Sequence, residues 1–223
     1  MDAHAYLLSQ IELEGKGLIG EHTIKQVKNV PGEELPLVLL AQLADRELVA
    51  YYSESLSSDL QTELSACVSS IDFPEIDPIL KVLESHDIQS ETGHYKTYVF
   101  PPQTATDPEV TCLSKHDPKT HAFGFDGFAE HIYTIEHNER IISACVSVRE
   151  DNNCGEAWVY TDPEYRRKGL AKKVVRAWAH SLIRVGKVPF YSHKMDNSPS
   201  ARLAGALQLQ PVFEEISITK RSI

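Results

Sequence analysis

The strongest pattern of apolar and polar positions lies between residues 156 and 186. Glu156 to Thr161 is rich in aromatic residues and β-formers over the length of a strand. Apolar residues then recur at helical spacing from Leu170 to Leu182, while the opposite face carries Lys172, Lys173 and Arg176. Gly186 is a common type of helix stop. The pattern predicts a strand, a short basic glycine turn and a long amphipathic helix.

Elsewhere the pattern predicts helices in the first half of the chain and strands in the second. Helical spacing dominates from Leu35 to Val68 and from Pro74 to His86. Two β-rich runs, His131–Glu136 and Ile141–Val148, are typical of a hairpin that leads into Glu156–Thr161. Turns are expected at residues 31–32 and 124–127 and a linker at residues 106–108. We predict a mostly helical accessory region at residues 1–103 and a mixed α+β domain at residues 104–223.

The glycine turn has the chemistry of an anion site. The first N–H groups of a helix have no partner inside the helix, and the helix dipole favours negative charge there. Gly169 has no Cβ to keep a phosphate away from the backbone, and Ala171 keeps the next position small. Three cations surround the turn: Arg166, Arg167 and Lys168. The alternative interpretation is a basic, solvated helix start with a glycine joint.

Composition narrows the choice of ligand. The 223-residue chain has a net charge of −10, so it lacks the overall basic character of most nucleic-acid-binding proteins. Its cations concentrate near the glycine turn, which favours a local anionic ligand. Four cysteines show no metal-type spacing, and we expect no metal. No apolar run has the length of a membrane span, so we expect no membrane partner and a cytoplasmic protein.

Two consecutive motifs resemble the GNAT acetyltransferase superfamily. Arg166-x-x-Gly169-x-Ala171 is similar to the family's acyl-CoA motif, (Arg/Gln)-x-x-Gly-x-(Gly/Ala). A following strand at Val188–Ser192 and then Asn197-x-x-Ser200 are similar to the family's next elements. Leu207-Gln208-Leu209 departs from the usual Leu-Gly-Phe. The resemblance covers about the last half of the chain. It implies the GNAT fold, whose central mixed and largely antiparallel sheet is flanked by helices, and acetyl-CoA as co-substrate.

The resemblance also implies a set of site residues. Glu156 is the candidate general base, with a solvated charge as its alternative role. Asn197 and Ser200 correspond to contacts with the pantetheine arm, although Asn197 could simply cap a helix. The general acid expected in that helix is missing, because its position is Ala204; Tyr191, Ser192 or His193 could replace it. The implied cofactor contacts are Trp158, Val159, Tyr160, Arg166, Arg167, Lys168, Gly169, Leu170, Ala171, Asn197 and Ser200.

Taken together, these features predict an enzyme that transfers an acetyl group from acetyl-CoA to a primary amine by direct attack. The acceptor is not determined, although an acidic chain suits a cationic small amine. The N-terminal region could be a packing partner, a substrate lid or the surface of a homodimer. Two alternatives stay open. One is a binding module with the GNAT fold that has lost turnover, and the other is a nucleotide-binding protein that uses the same glycine turn.

Overall fold

The protein is described from a computed structural model, which covers residues 2–30, 34–102, 107–121 and 130–221. The chain forms two compact units. The first comprises Met1–Lys96 and Val212–Ile223, and the second comprises Thr97–Pro211. The turns expected at residues 31–32 and 124–127 and the first residue of the expected linker lie outside the described residues. A separate region at residues 1–103 stays a prediction; the observed units divide the chain after Lys96 and again after Pro211.

The first unit combines a sheet with three helices. Its strands have the order β1-β2-β4-β3-β11-β5. The last strand of the chain, β11, runs antiparallel to β3 and pairs Phe213 with Leu43 through to Ile218 with Val38. The elements are α1 Ala3–Leu13, β1 Lys16–Ile19, β2 Thr23–Gln26, β3 Val38–Leu43, β4 Leu48–Ser53, α2 Ser58–Val68, α3 Asp77–Ser85, β5 Ser90–Val99, whose last residues belong to the second unit, and β11 Gln210–Lys220.

The prediction of a mostly helical N-terminal part is wrong. The segment from Leu35 to Val68 contains two strands, β3 and β4, before the helix α2 begins at Ser58. Both strands are buried on nearly every residue. A strand that is buried on both faces has no alternation of apolar and polar residues, so its leucines can match a helical spacing by chance. The Ser57 side chain caps α2 by accepting a hydrogen bond from Leu60 N.

The second unit contains the predicted strand–turn–helix. Its strands have the order β10-β9-β8-β7-β6. β9 and β10 are parallel and the other neighbours are antiparallel, which confirms a mixed, largely antiparallel sheet. The elements are β6 Thr111–Ser114, α4 Pro118–His121, β7 His131–His137, β8 Arg140–Glu150, β9 Cys154–Thr161, α5 Leu170–Arg184, β10 Val188–Lys194 and α6 Ser198–Leu207.

The helix α5 anchors this unit by burying its apolar side on one face of the sheet. Trp178 is the largest buried side chain there, and its indole Nε1 donates a hydrogen bond to Ser147 Oγ on β8 at 2.9 Å. Val174, Val175 and Leu182 pack in the same cluster as Tyr191 of β10. This packing fixes the start of α5 relative to β9 and β10. Within the described ranges, no helix has the length and apolar character that crossing a membrane requires.

Candidate functional site

The strands β9 and β10 separate after a short paired stretch. Their parallel register comprises Val188 with Cys154, Pro189 with Gly155 and Phe190 with Glu156. Beyond that pair β9 continues to Thr161 and β10 to Lys194. The two strands therefore form a V that opens beyond the Phe190–Glu156 pair. Pro189 lies in the paired stretch, second in its strand, so it marks the strand start rather than the opening.

Glu156 lies at the apex of this V. The residue is only 5% exposed, and its Oε2 lies 2.6 Å from Nη2 of Arg149 on β8. Strand alternation places Trp158 and Tyr160 on the same face of β9 as Glu156. Their rings are nearly parallel, with centroids 6.4 Å apart, and Trp158 is 37% exposed. The apex thus combines a buried carboxylate with an aromatic surface along one arm of the V.

The loop between β9 and α5 is held by its own polar contacts. Asp162 Oδ1 accepts a hydrogen bond from Glu164 N, and its Oδ2 lies 2.6 Å from Arg140 Nη2. Arg166 Nε donates to the Thr161 carbonyl at 3.1 Å. Lys168 Nζ lies 4.5 Å from the centre of the Tyr165 ring. These contacts hold the predicted cations close to the start of α5.

Gly169 begins α5 in a conformation that favours glycine. Its φ is +79°, and a Cβ built there would meet no atom within 4 Å. Packing therefore does not require this glycine, but the backbone conformation does. Among the described residues, no side chain caps the helix, and its first bond runs from Lys173 N to Gly169 O at 3.4 Å. The amides of Leu170, Ala171 and Lys172 precede that bond, so a pyrophosphate fits this exposed start.

The predicted contacts around the turn fall into two groups. Arg166, Arg167, Lys168 and Gly169 are exposed, whereas Leu170 and Ala171 are half-buried. Val159 faces α5 and packs against the core of the second unit, as does Leu170. The side chain of Val159 thus points away from the face that carries Glu156. Val159 can therefore line the V only with its backbone atoms.

At the start of α6, Asn197 performs the capping role. Its Oδ1 accepts a hydrogen bond from Ser200 N at 3.1 Å. The Tyr191 hydroxyl donates to the Ser200 carbonyl at 3.5 Å and so links this helix to β10. Capping leaves the Asn197 amide nitrogen and the Ser200 hydroxyl as the groups that a pantetheine arm could contact.

The position expected to hold a general acid is buried and occupied by an alanine. Ala204 is 1% exposed and packs in the core of the second unit. Burial raises the pKa of the nearby Tyr191 hydroxyl. Ser192 Oγ and Thr97 Oγ1 are hydrogen-bonded at 2.9 Å. The Nδ1 atom of His193 lies 2.8 Å from the Lys194 carbonyl oxygen, and the imidazole ring stacks on Tyr98. Its Nε2 is buried without a hydrogen-bond partner in the described ranges.

Arg149 is the residue of this site that the sequence reasoning missed. A signal for it exists in the sequence, because Asp151-Asn152-Asn153 is a typical turn sequence between the two strands. Counting outward from that turn pairs Glu150 with Gly155 and Arg149 with Glu156, which is the observed register. No group of three metal-ligating side chains occurs in the part of the chain that the structure describes.

Comparisons with known proteins agree with this geometry. Residues 125–214 match the family model for GNAT acetyltransferases. A GNAT-family acetyltransferase from Colwellia psychrerythraea has the same fold, with a TM-score of 0.51 and 13% identity over 80% of this chain and 79% of that chain. A GCN5-related N-acetyltransferase from Sphaerobacter thermophilus aligns over 100% of this chain and 93% of that chain, with 11% identity and a TM-score of 0.49. No curated protein matches the chain. Residues 125–214, which contain β7 to β10, α6 and the opening at Glu156, therefore resemble the GNAT acetyltransferase superfamily.

Proposed function

We propose that this acetyltransferase moves the acetyl group of acetyl-CoA to a primary amine, with Glu156 as the general base. The observation that carries the proposal is the end of the β9–β10 register at the Phe190–Glu156 pair. It places a carboxylate at the apex of the V, while the exposed start of α5 offers N–H groups to the pyrophosphate. An acyl-CoA bound along these elements would bring its thioester to the V.

The proposed reaction is a direct transfer. The cationic amine first loses one proton to the solvent, by way of the Glu156 carboxylate and water, and its neutral nitrogen then attacks the thioester carbonyl carbon. A bond forms between nitrogen and carbon, the carbon–sulfur bond breaks, and the sulfur leaves with the electron pair and takes up a proton. After the attack, the nitrogen loses a second proton by way of Glu156 and water, so that overall one proton goes to the solvent and one to sulfur. Backbone N–H groups that line the V would stabilise the oxyanion.

The acceptor class and setting are part of the proposal. A net charge of −10 favours approach of cationic amines. The exposed Trp158 ring, on the face that carries Glu156, could contact such a cation. Cys67, Cys112, Cys145 and Cys154 form no disulfide, which agrees with a reducing, cytoplasmic setting. A homodimer stays a prediction.

The test is the release of free thiol from acetyl-CoA with a panel of primary amines. Glu156→Gln should lower kcat by about 100-fold or more, because an amide cannot accept the proton. Calorimetric affinity for acetyl-CoA should be unchanged. Glu164→Gln is the matched control, since Glu164 is an exposed residue of the β9–α5 loop and should leave both values unchanged. Wild-type turnover in Glu156→Gln would contradict the role of the base.

One observation favours a second candidate, a non-catalytic acyl-CoA-binding module. Ala204 is buried and offers no hydroxyl where relatives carry the general acid. Under this alternative acetyl-CoA binds, but no amine of the panel releases thiol. Competition by ATP would instead indicate a nucleotide site, since a site shaped for acetyl-CoA should prefer CoA.

A further inference from the structure

The strand pair β8–β9 contains an irregularity beside Glu156. Arg149 pairs with Glu156, but the next pair is Ser147 with Ala157, so Val148 forms a bulge. In a regular strand, residues 147 and 149 would share a face. Here Ser147 faces α5 and accepts a hydrogen bond from Trp178 Nε1, whereas Arg149 meets Glu156. The bulge thus allows β8 to bind the helix on one face and the carboxylate on the other.

The contact between Arg149 and Glu156 is short and shielded. The atoms Nη2 and Oε2 lie 2.6 Å apart, and the side chains are 16% and 6% exposed. Charge-assisted hydrogen bonds of this length are among the stronger polar contacts in proteins. With so little water nearby, the arginine compensates for the desolvation of the carboxylate and favours its ionised form. That form is the one able to accept a proton.

We infer that Arg149 is a positioning residue, which holds the Glu156 carboxylate ionised and oriented at the apex of the V. This inference rests on the proposed role of Glu156 as the base. It adds a second residue to the reaction, one that acts through Glu156 rather than on the amine. The bulge at Val148 is the structural feature that makes this arrangement possible.

The other groups near Glu156 leave this role to Arg149. Glu150, the next residue of β8, binds Lys187 Nζ at 2.7 Å and the Ser147 hydroxyl. β10 contributes the apolar Phe190 as the pairing partner. On the same face of β9, alternation places the thiol of Cys154 and the phenol of Tyr160. Of these neighbours, Arg149 supplies the positive charge.

The experiment compares the pH profiles of kcat/KM for wild type, Arg149→Met and Arg149→Lys. Without the arginine the Glu156 carboxyl becomes harder to ionise. The acid limb of the pH profile of Arg149→Met should therefore lie about one pH unit above that of wild type. Its kcat above the limb should also fall by about tenfold, because the carboxylate loses the contact that orients it, with unchanged acetyl-CoA affinity. Arg149→Lys keeps the charge and should keep the limb near its wild-type position. A limb that stays in place in Arg149→Met would overturn the inference.

A double variant addresses the risk that a lone buried carboxylate prevents folding. Glu156→Gln/Arg149→Met removes both charges and should be no less active than Glu156→Gln alone, because Arg149 acts through Glu156. A further tenfold loss in the double variant would overturn the inference. Failure of the proposed function looks different: Glu156→Gln itself would then retain wild-type turnover.

Discussion

At both ends of α5 stands a glycine with a φ of +79°, and at neither would a Cβ meet another atom within 4 Å. The backbone groups around the two glycines differ. At the C-terminal end, Gly186 N donates to the Ile183 carbonyl and Lys187 N donates to the Leu182 carbonyl. At the N-terminal end, the amides of the first turn precede the first helical bond and are not capped by a side chain of the described residues. The comparison indicates that, of the two glycine turns, the one at the N-terminal end has backbone groups that a ligand could still bind.

The two ends of α5 also differ in their charged side chains. Arg166, Arg167 and Lys168 are exposed beside Gly169. At the other end, Lys187 Nζ lies 2.7 Å from Glu150 Oε1. Lys173, in the first turn, is similarly engaged with Glu109 at 2.6 Å and Asp107 at 3.3 Å. Arg167 and Lys168 of the loop are therefore cations that an anionic ligand at the N-terminal end could reach.

Reversing the charge of the loop should have the larger effect. We expect Arg167→Glu/Lys168→Glu to weaken acetyl-CoA binding by about 30-fold at low salt, because attraction to the pyrophosphate becomes repulsion. Lys187→Glu, at the other end of α5, and Lys173→Ala, whose cation is already paired, should change the affinity less than threefold, or about 0.6 kcal/mol. Calorimetric titrations at two salt concentrations would measure this. Equal losses in all three variants would indicate a nonspecific effect of net charge.

A second test compares the C-terminal ends of α5 and α6 by stability. Gln208, at the C-terminus of α6, adopts the left-handed conformation with a φ of +57° although it has a side chain. Gln208→Gly should therefore stabilise the protein by about 0.5–1 kcal/mol, and Gly186→Ala should destabilise it by about 1 kcal/mol. Chemical denaturation would measure both free energies of unfolding. A destabilised Gln208→Gly would show that the side chain contributes more than its strain costs.

The sequence predicted the elements whose causes are local. The strand β9, the glycine turn and α5 follow from periodicity and glycine positions within about 30 residues, whereas β10 and α6 were expected from the resemblance to the GNAT family. The hairpin of β7 and β8 was also predicted; its turn uses Asn138 and Glu139, both with positive φ, although glycine is usual there. The motif at Gln208 departs from the family pattern only in residue type, because the backbone keeps the conformation that favours glycine.

Features that depend on residues far apart in the chain could not be predicted from the sequence. The strands β3 and β4 are buried on both faces, which removed the alternation that identifies strands. The place of β11 beside β3 joins residues more than 160 positions apart. The bulge at Val148 likewise depends on what the two faces of β8 contact, so no local pattern predicts it.

The most direct test of the central claim is a calorimetric titration of acetyl-CoA into wild type, Gly169→Trp and Gly186→Trp. Both glycines have the same φ and the same open space, so the two substitutions carry similar backbone strain. If the pyrophosphate lies at the start of α5, wild type and Gly186→Trp should bind with similar affinity, and Gly169→Trp should lose at least about 100-fold, or 2.7 kcal/mol. Equal binding by all three folded proteins, or no binding by wild type, would contradict the claim.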